Sequence, residues 1–300
     1  MNKISLKKKL IGSRGFYTMI LAIAVPIMVQ NGITNFVSMI DNIMVGRVGT
    51  NEMSGVAIVN QLIMVFNLCI FGGVAGAGIF TAQFHGARNT EGIRYTFRYK
   101  IIVITVITAL SIAIFLGFGE ELIKLYLHGE GGSEDAIANT LHQAKIYLSY
   151  MLIGLPPFAI AQAYGDTLRC SEETIVPMKA GVASVFVNLS LNYVLIYGKF
   201  GVPALGVAGA AIATIIARYV EMAYVVVWTH THSKRQPFII GAFKSFKIPL
   251  SLAKDMLAKG MPLILNETLW SMGVAALLQN YSVRGLAVVG ALNISQIISN

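Results

Sequence analysis

Residues 101–118 read IIVITVITALSIAIFLGF, eighteen consecutive positions with no charged side chain. The hydrocarbon core of a bilayer is crossed by about 20 mostly apolar residues of helix, so this stretch reads as a membrane span. Working outward from it, the same test picks out stretches at 16–40, 55–82, 99–118, 146–168, 175–197, 204–229 and 258–281. An eighth begins near Leu286. Inside a bilayer the backbone finds no water, which leaves helices or closed barrels as the spanning forms. Apolar runs of this length are helices, and the expected fold class is an all-α polytopic membrane protein.

The composition points the same way. Hydrophobic residues make up 55% of the chain and charged residues 12%, where a soluble domain carries about 25% charged. Mean hydropathy is +0.67. The net charge of +9 does not indicate nucleic acid, because the basic residues sit in short clusters between apolar runs. Such clusters mark cytoplasmic loops. With the amino terminus inside and the spans alternating, 17 Lys and Arg fall on the inner side and five outside. The expected location is therefore a bacterial cytoplasmic (plasma) membrane, multi-pass, with a cytoplasmic N-terminus. The first stretch follows Lys3, Lys7, Lys8, Lys9 and Arg14. It is too long for a signal peptide, and no small-residue cleavage site follows it.

An internal repeat is visible. Ala24-Val-Pro-Ile-Met28 aligns with Gly260-Met-Pro-Leu-Ile264, which places Pro26 over Pro262, and Gly55 and Gln61 fall on Gly290 and Gln296. Six helices separate the copies, so both face the same way, as in two six-helix bundles related by an axis along the membrane normal. The domain reading is a complete six-helix N-terminal lobe over 1–230 and a cytoplasmic linker over 231–257. The start of a second lobe covers 258–300 and breaks off within its second helix, so the sequence is read as truncated. Leu250–Leu257 is expected to be a basic amphipathic segment at the cytoplasmic surface.

Ionisable groups inside a span cost roughly 2.5–3.5 kcal/mol on insertion scales, so each needs a reason. Asp41 follows the apolar run 36–40 and is either a buried functional carboxylate or a helix-end residue paired with Arg47. Glu267 has apolar neighbours on both sides and no basic residue within a turn. It reads as a group that exchanges a proton or accepts a cation, or as a structural carboxyl bonded to another helix. Arg218 and Glu221, three apart on one helical face, read as an internal ion pair. Asn188 and Asn192, four apart, share a face. They serve either as glue between helices or as oxygen ligands for a hard cation.

Cys69 and Cys170 have neither disulfide nor metal-ligand spacing, and the five histidines are scattered at segment ends. The glycines of FGGVAGAG, residues 71–78, lie inside a span with no strand before them and serve helix packing, not nucleotide binding. Neither a nucleophile elbow nor a pair of catalytic carboxylates is present, so an enzyme is not expected, nor is any cofactor.

Several stretches, in order, resemble the multidrug and toxic compound extrusion (MATE) family. Ile40-Asp-Asn-Ile-Met-Val-Gly-Arg-Val-Gly49 is similar to its first-helix signature, and Tyr164–Arg169 through Thr174–Met178 to its fourth-to-fifth connection. Asn188–Gly198 and Gly206–Thr214 resemble its fifth and sixth helices. The resemblance implies a cation-binding set of Asp41, Asn188, Asn192 and Thr214 in the first lobe, with Glu267 in the second. Asp41, Asn188 and Asn192 would be the ligands if the ion is Na+. Some members carry aspartate where Asn192 stands, so this site holds less negative charge, and Na+ and H+ both stay open as the coupling ion. Glu172-Glu173 stands where the family has Gly-Asp. The implied function is antiport of organic cations or drugs against Na+ or H+ by alternating access. Its partners are small organic cations and membrane lipid, not nucleic acid, and it works as a monomer with both lobes. The alternative is a lipid-linked oligosaccharide flippase of related architecture, which would need several cationic residues lining its cleft; only Arg218 lies within a span.

Overall fold

The computed structural model describes residues 13–127 and 134–282, without the side chains of 37–39, 42, 264, 267, 268, 271, 272, 275 and 278–282. Among the described residues, seven α-helices follow one another: α1 Arg14–Gly46, α2 Thr50–Gly86, α3 Thr90–Leu127, α4 Glu134–Cys170, α5 Ile175–Tyr197, α6 Gly206–Thr231 and α7 Leu250–Ser282. A short 3₁₀ turn at Pro237–Ile239 lies between the last two. Among the described residues there is no strand. The first six helices are long and apolar enough to cross a membrane. The stretch 258–281 lies inside α7, and Leu250–Leu257 forms the opening turns of that same helix, not a separate surface element. The eighth stretch, from Leu286, lies outside the described residues.

Turn chemistry sets the helix boundaries. The Ser13 side chain accepts from Phe16 N at 3.2 Å and caps α1, satisfying one of the first-turn amides. Asn89 Oδ1 accepts from Gly92 N at 2.9 Å and opens α3. Gly198, at φ +66°, closes α5.

The proline positions support the repeat. Pro26 in α1 and Pro262 in α7 each stand twelve residues after the start of their helix. A mid-helix proline leaves the carbonyl four residues back without its helical partner. In α1 that carbonyl is Ala22 O, and the Thr174 hydroxyl from the α4–α5 turn reaches it at 3.5 Å.

The main core gathers α2, α4 and α6 around Val59, Phe66, Ile70, Met151, Leu155 and Ala211, all nearly or fully buried. The helices of the hairpin α5–α6 pack along each other, and α1 lies chiefly on α5. Leu110, Leu116 and Phe118 of α3 face outward, as lipid-facing side chains do. α7 lies on α2 at a backbone-to-backbone contact. A Cβ added at Gly76 would sit 2.4 Å from Gly260 Cα, so only glycine fits there.

Candidate functional site

Asp41 stands one and a half turns before the end of α1. Two contacts fix its position against the α5–α6 hairpin. The Tyr197 hydroxyl donates to Met44 O at 3.1 Å, pinning the end of α1 to α5. The Ser184 hydroxyl donates to Ala217 O at 2.9 Å, setting the register of α5 on α6. The buried face of α5 carries Ala180, Ser184, Asn188, Asn192 and Ile196 at four-residue spacing. Asn188 and Asn192 therefore point inward at the level of Asp41 on one side and Thr214 on the other.

The four side chains meet. Asn192 Nδ2 donates to Asp41 Oδ1 at 2.7 Å and to Asn188 Oδ1 at 3.1 Å. Asn188 Nδ2 donates to Thr214 Oγ1 at 3.2 Å, and the Thr214 hydroxyl donates to Ala210 O at 3.0 Å. In this seating the Asn188 oxygen faces Asp41, and two acceptors confront each other unless a positive species lies between them. Turned over, the Asn188 nitrogen donates to Asp41 at 2.8 Å (Oδ2) and 3.1 Å (Oδ1), and its oxygen takes the Thr214 hydroxyl at 3.2 Å. The Asn188 amide is better satisfied in this second orientation. Asn192 Oδ1, on a residue 1% exposed, is buried with no hydrogen-bond partner among the described residues. A buried amide oxygen left open costs about 1–3 kcal/mol. Beside a carboxylate it is a ready cation ligand.

A family model now settles what these helices belong to: the MatE model matches residues 26–194, more than half of the chain and both Asp41 and the asparagine pair. The chain belongs to the MatE family. It is a family of membrane transporters, not of enzymes, and the protein is a multi-pass membrane protein. It is 29% identical over 256 residues to a probable multidrug resistance protein NorM of Thermotoga maritima, covering 85% of this chain and 52% of that one. A Bacillus subtilis protein of the same description is 27% identical over 246 residues, with 81% and 52% covered. The chain spans about half the length of these curated relatives. Among solved structures, a MATE crystal structure in the bent conformation superposes with a TM-score of 0.73 at 21% identity, over 92% of this chain and 58% of that one. An outward-facing multidrug resistance MATE family transporter gives 0.74 at 22% identity, over 87% and 54%. These likenesses concern the fold.

Within the MatE chain, the residues singled out from sequence separate into three groups. Asp41, Asn188, Asn192 and Thr214 come together. Glu267 lies on α7, and its side chain falls outside the described residues. Arg218 and Glu221 do not form the expected ion pair within 4.0 Å. Instead Arg218 Nη1 donates to Gly154 O at 3.2 Å, and the guanidinium lies 5.0 Å from the Phe158 ring centroid. Gly154 makes the room, since a Cβ there would lie 3.3 Å from Arg218 Cδ. The contact precedes Pro156 and Pro157, which interrupt the hydrogen bonding of α4.

Other buried polar groups carried no signal in the sequence. Tyr147 on α4 is buried beside the cluster, within electrostatic reach of both Asp41 and Arg218. Its hydroxyl donates to Asn60 Oδ1 at 3.4 Å. Lys100 is fully buried in α3. Its Nζ donates to Thr81 and Thr167 hydroxyls at 3.0 and 3.1 Å and pairs with Asp166 at 2.7 Å, so all three ammonium protons are used. The basic cluster before residue 101 resembles a loop, and only the helix start at Thr90 shows that Lys100 is three turns into α3.

Proposed function

We propose that this MatE protein is a secondary antiporter that exports organic cations or drugs in exchange for Na+ or H+. The carrying observation is the half-buried Asp41 carboxylate, bonded to Asn192 and through Asn188 linked to Thr214, with one buried amide oxygen left open among the described residues. Relatives described as multidrug resistance proteins support the substrate class.

The chemistry follows from charge in a low-dielectric interior, where holding an uncompensated carboxylate is costly and holding two cations beside it is worse. Asp41 therefore carries one positive species at a time. With Asp41 ionised and unoccupied, the Asn188 and Asn192 amides stabilise the anion; a bound proton or Na+ takes over that role. Asn188 and Asn192 lie on α5 and Asp41 on α1, so exchanging the occupant changes how those helices are tied together. That link allows a bound ion to bias one arrangement of the protein over another.

In this reading residues 1–230 form one lobe, 231–257 a cytoplasmic linker and 258–300 the start of a second lobe, with the N-terminus cytoplasmic. Glu267 supplies the second lobe's carboxylate. The protein works as a monomer with both lobes. The test is ethidium efflux from vesicles bearing the full-length protein under imposed Na+ or pH gradients. Asp41→Asn and Glu267→Gln are each expected to impair gradient-driven efflux while the protein stays folded. Unchanged transport in both variants overturns the site.

A further inference from the structure

Residues 232–249 connect α6 to α7, and two arginines of α3 hold them tightly. Arg98, 8% exposed, donates through Nε to Ala242 O at 2.7 Å, through Nη2 to Gly241 O at 2.8 Å and through Nη1 to Lys247 O at 3.2 Å. Arg94 Nε donates to Phe238 O at 3.2 Å. Gly241 supplies the positive φ of +75° that turns the chain between these carbonyls. From beneath, Phe97 packs on Phe238 and Phe243, with ring centroids 5.3 and 5.9 Å apart.

This fixed loop holds apolar side chains outward. Ile240, Phe243, Phe246 and Leu250 are 57%, 48%, 50% and 70% exposed, and the Phe243 and Phe246 rings lie 6.2 Å apart. Exposed Lys244 and Lys247 alternate with them. From 231 to 250 the chain carries four Lys and Arg and no acidic residue; Arg235 is paired with Glu173 at 3.1 Å, and Lys244 and Lys247 stand beside the exposed rings.

A loop with this much exposed apolar surface would be costly in water. It follows α6, a helix long and apolar enough to cross a membrane, so in a bilayer it is expected to fall near the headgroup layer. Aromatic rings and lysines side by side suit that layer, the rings at the acyl boundary and the ammonium groups against lipid phosphate. The excess of positive charge selects an anionic surface over a zwitterionic one. We infer that residues 240–250 form a preorganised anchor for anionic phospholipid, in which Phe246 and Leu250 enter the leaflet and Lys244 and Lys247 bind headgroup phosphates. The anchor depends on the membrane location alone, not on the transport reading. It fastens to the leaflet the segment that joins α6 to α7.

The experiment uses the full-length protein with Phe246→Trp, reconstituted in bilayers containing lipid brominated near the headgroup. The lipid is either phosphatidylglycerol or phosphatidylcholine. Fluorescence is read as the difference from the parent, which already contains Trp228 and Trp270. The added tryptophan is expected to be quenched by both bromolipids, and at lower mole fraction by phosphatidylglycerol. Lys244→Gln and Lys247→Gln should each reduce that preference about fivefold, the equivalent of about 1 kcal/mol per basic residue at the surface. Because both lysines are exposed, the unfolding temperature in detergent should not change. Three results overturn the inference. One is no quenching by either lipid with free access to acrylamide, which places the loop in water. Another is no quenching with acrylamide also excluded, which places it under another part of the protein. The third is equal quenching by both lipids, unaffected by the lysines.

Discussion

Among the described residues, Asp41 has few fixed donors: one from Asn192 and a second when the Asn188 nitrogen faces it. That leaves the site poised for a positive occupant. Adding negative charge should strengthen its hold. Asn192→Asp places a second carboxylate within hydrogen-bonding distance of the first, and two such groups cannot both stay ionised without a shared cation or proton. Ethidium efflux in this variant is expected to reach half-maximal drive at a lower Na+ or H+ concentration than in the parent, and an unchanged dependence would argue against direct binding. Lys100 belongs to a different class of buried charge. Its pairing with Asp166 and two threonines is complete, so its role is to staple α3 to α2 and α4. Lys100→Met leaves Asp166 without its cation. Because Asp166 is 24% exposed, the loss should fall near the lower end of the usual range, about 3 kcal/mol. It is measured as a lowered unfolding temperature, partly restored by adding Asp166→Leu. Asp41, Asn188 and Asn192 were legible because polar residues stand out against apolar runs. Lys100 was not, because basic residues also precede the span, and Arg218 was misread because spacing alone cannot show that Gly154 leaves a cavity for its side chain.

At the scale of helices, the existence and order of the spans were readable, because a bilayer permits few alternatives to a long apolar helix. What hydropathy could not show is how far the helices run past the apolar core. The stretch at 99–118 became α3, Thr90–Leu127, and the supposed surface segment 250–257 became the start of α7. Pro26 and Pro262, aligned in the sequence repeat, also stand at the same distance from the start of their helices. The contact between Gly76 and Gly260 joins the first six helices to the seventh, and it too was hidden, since glycine-rich spans name no partner. Gly76→Leu has no space between the two backbones and must push α7 from α2. Reduced transport with a lowered unfolding temperature is the expected outcome. Full activity and stability would mean that α7 does not sit there in the working protein.

For the molecule as a whole, the account requires that a drug cation and a coupling ion compete for one half-buried carboxylate, so that occupancy by one excludes the other. Antiport needs that exclusion, because a site that held both together could not couple their movements. Neither the apolar content nor the helix count of the chain implies it, and it depends on Asp41 being bonded to neutral amides and not to fixed cations. The most direct measurement is equilibrium binding of ethidium to the purified full-length protein, titrated with Na+ at constant pH and with pH in the absence of Na+. Either Na+ or acid should weaken binding competitively in the parent, and Asp41→Asn should lose most of that competition. Competition of the same strength in Asp41→Asn would show that the exchange happens elsewhere and contradict the account.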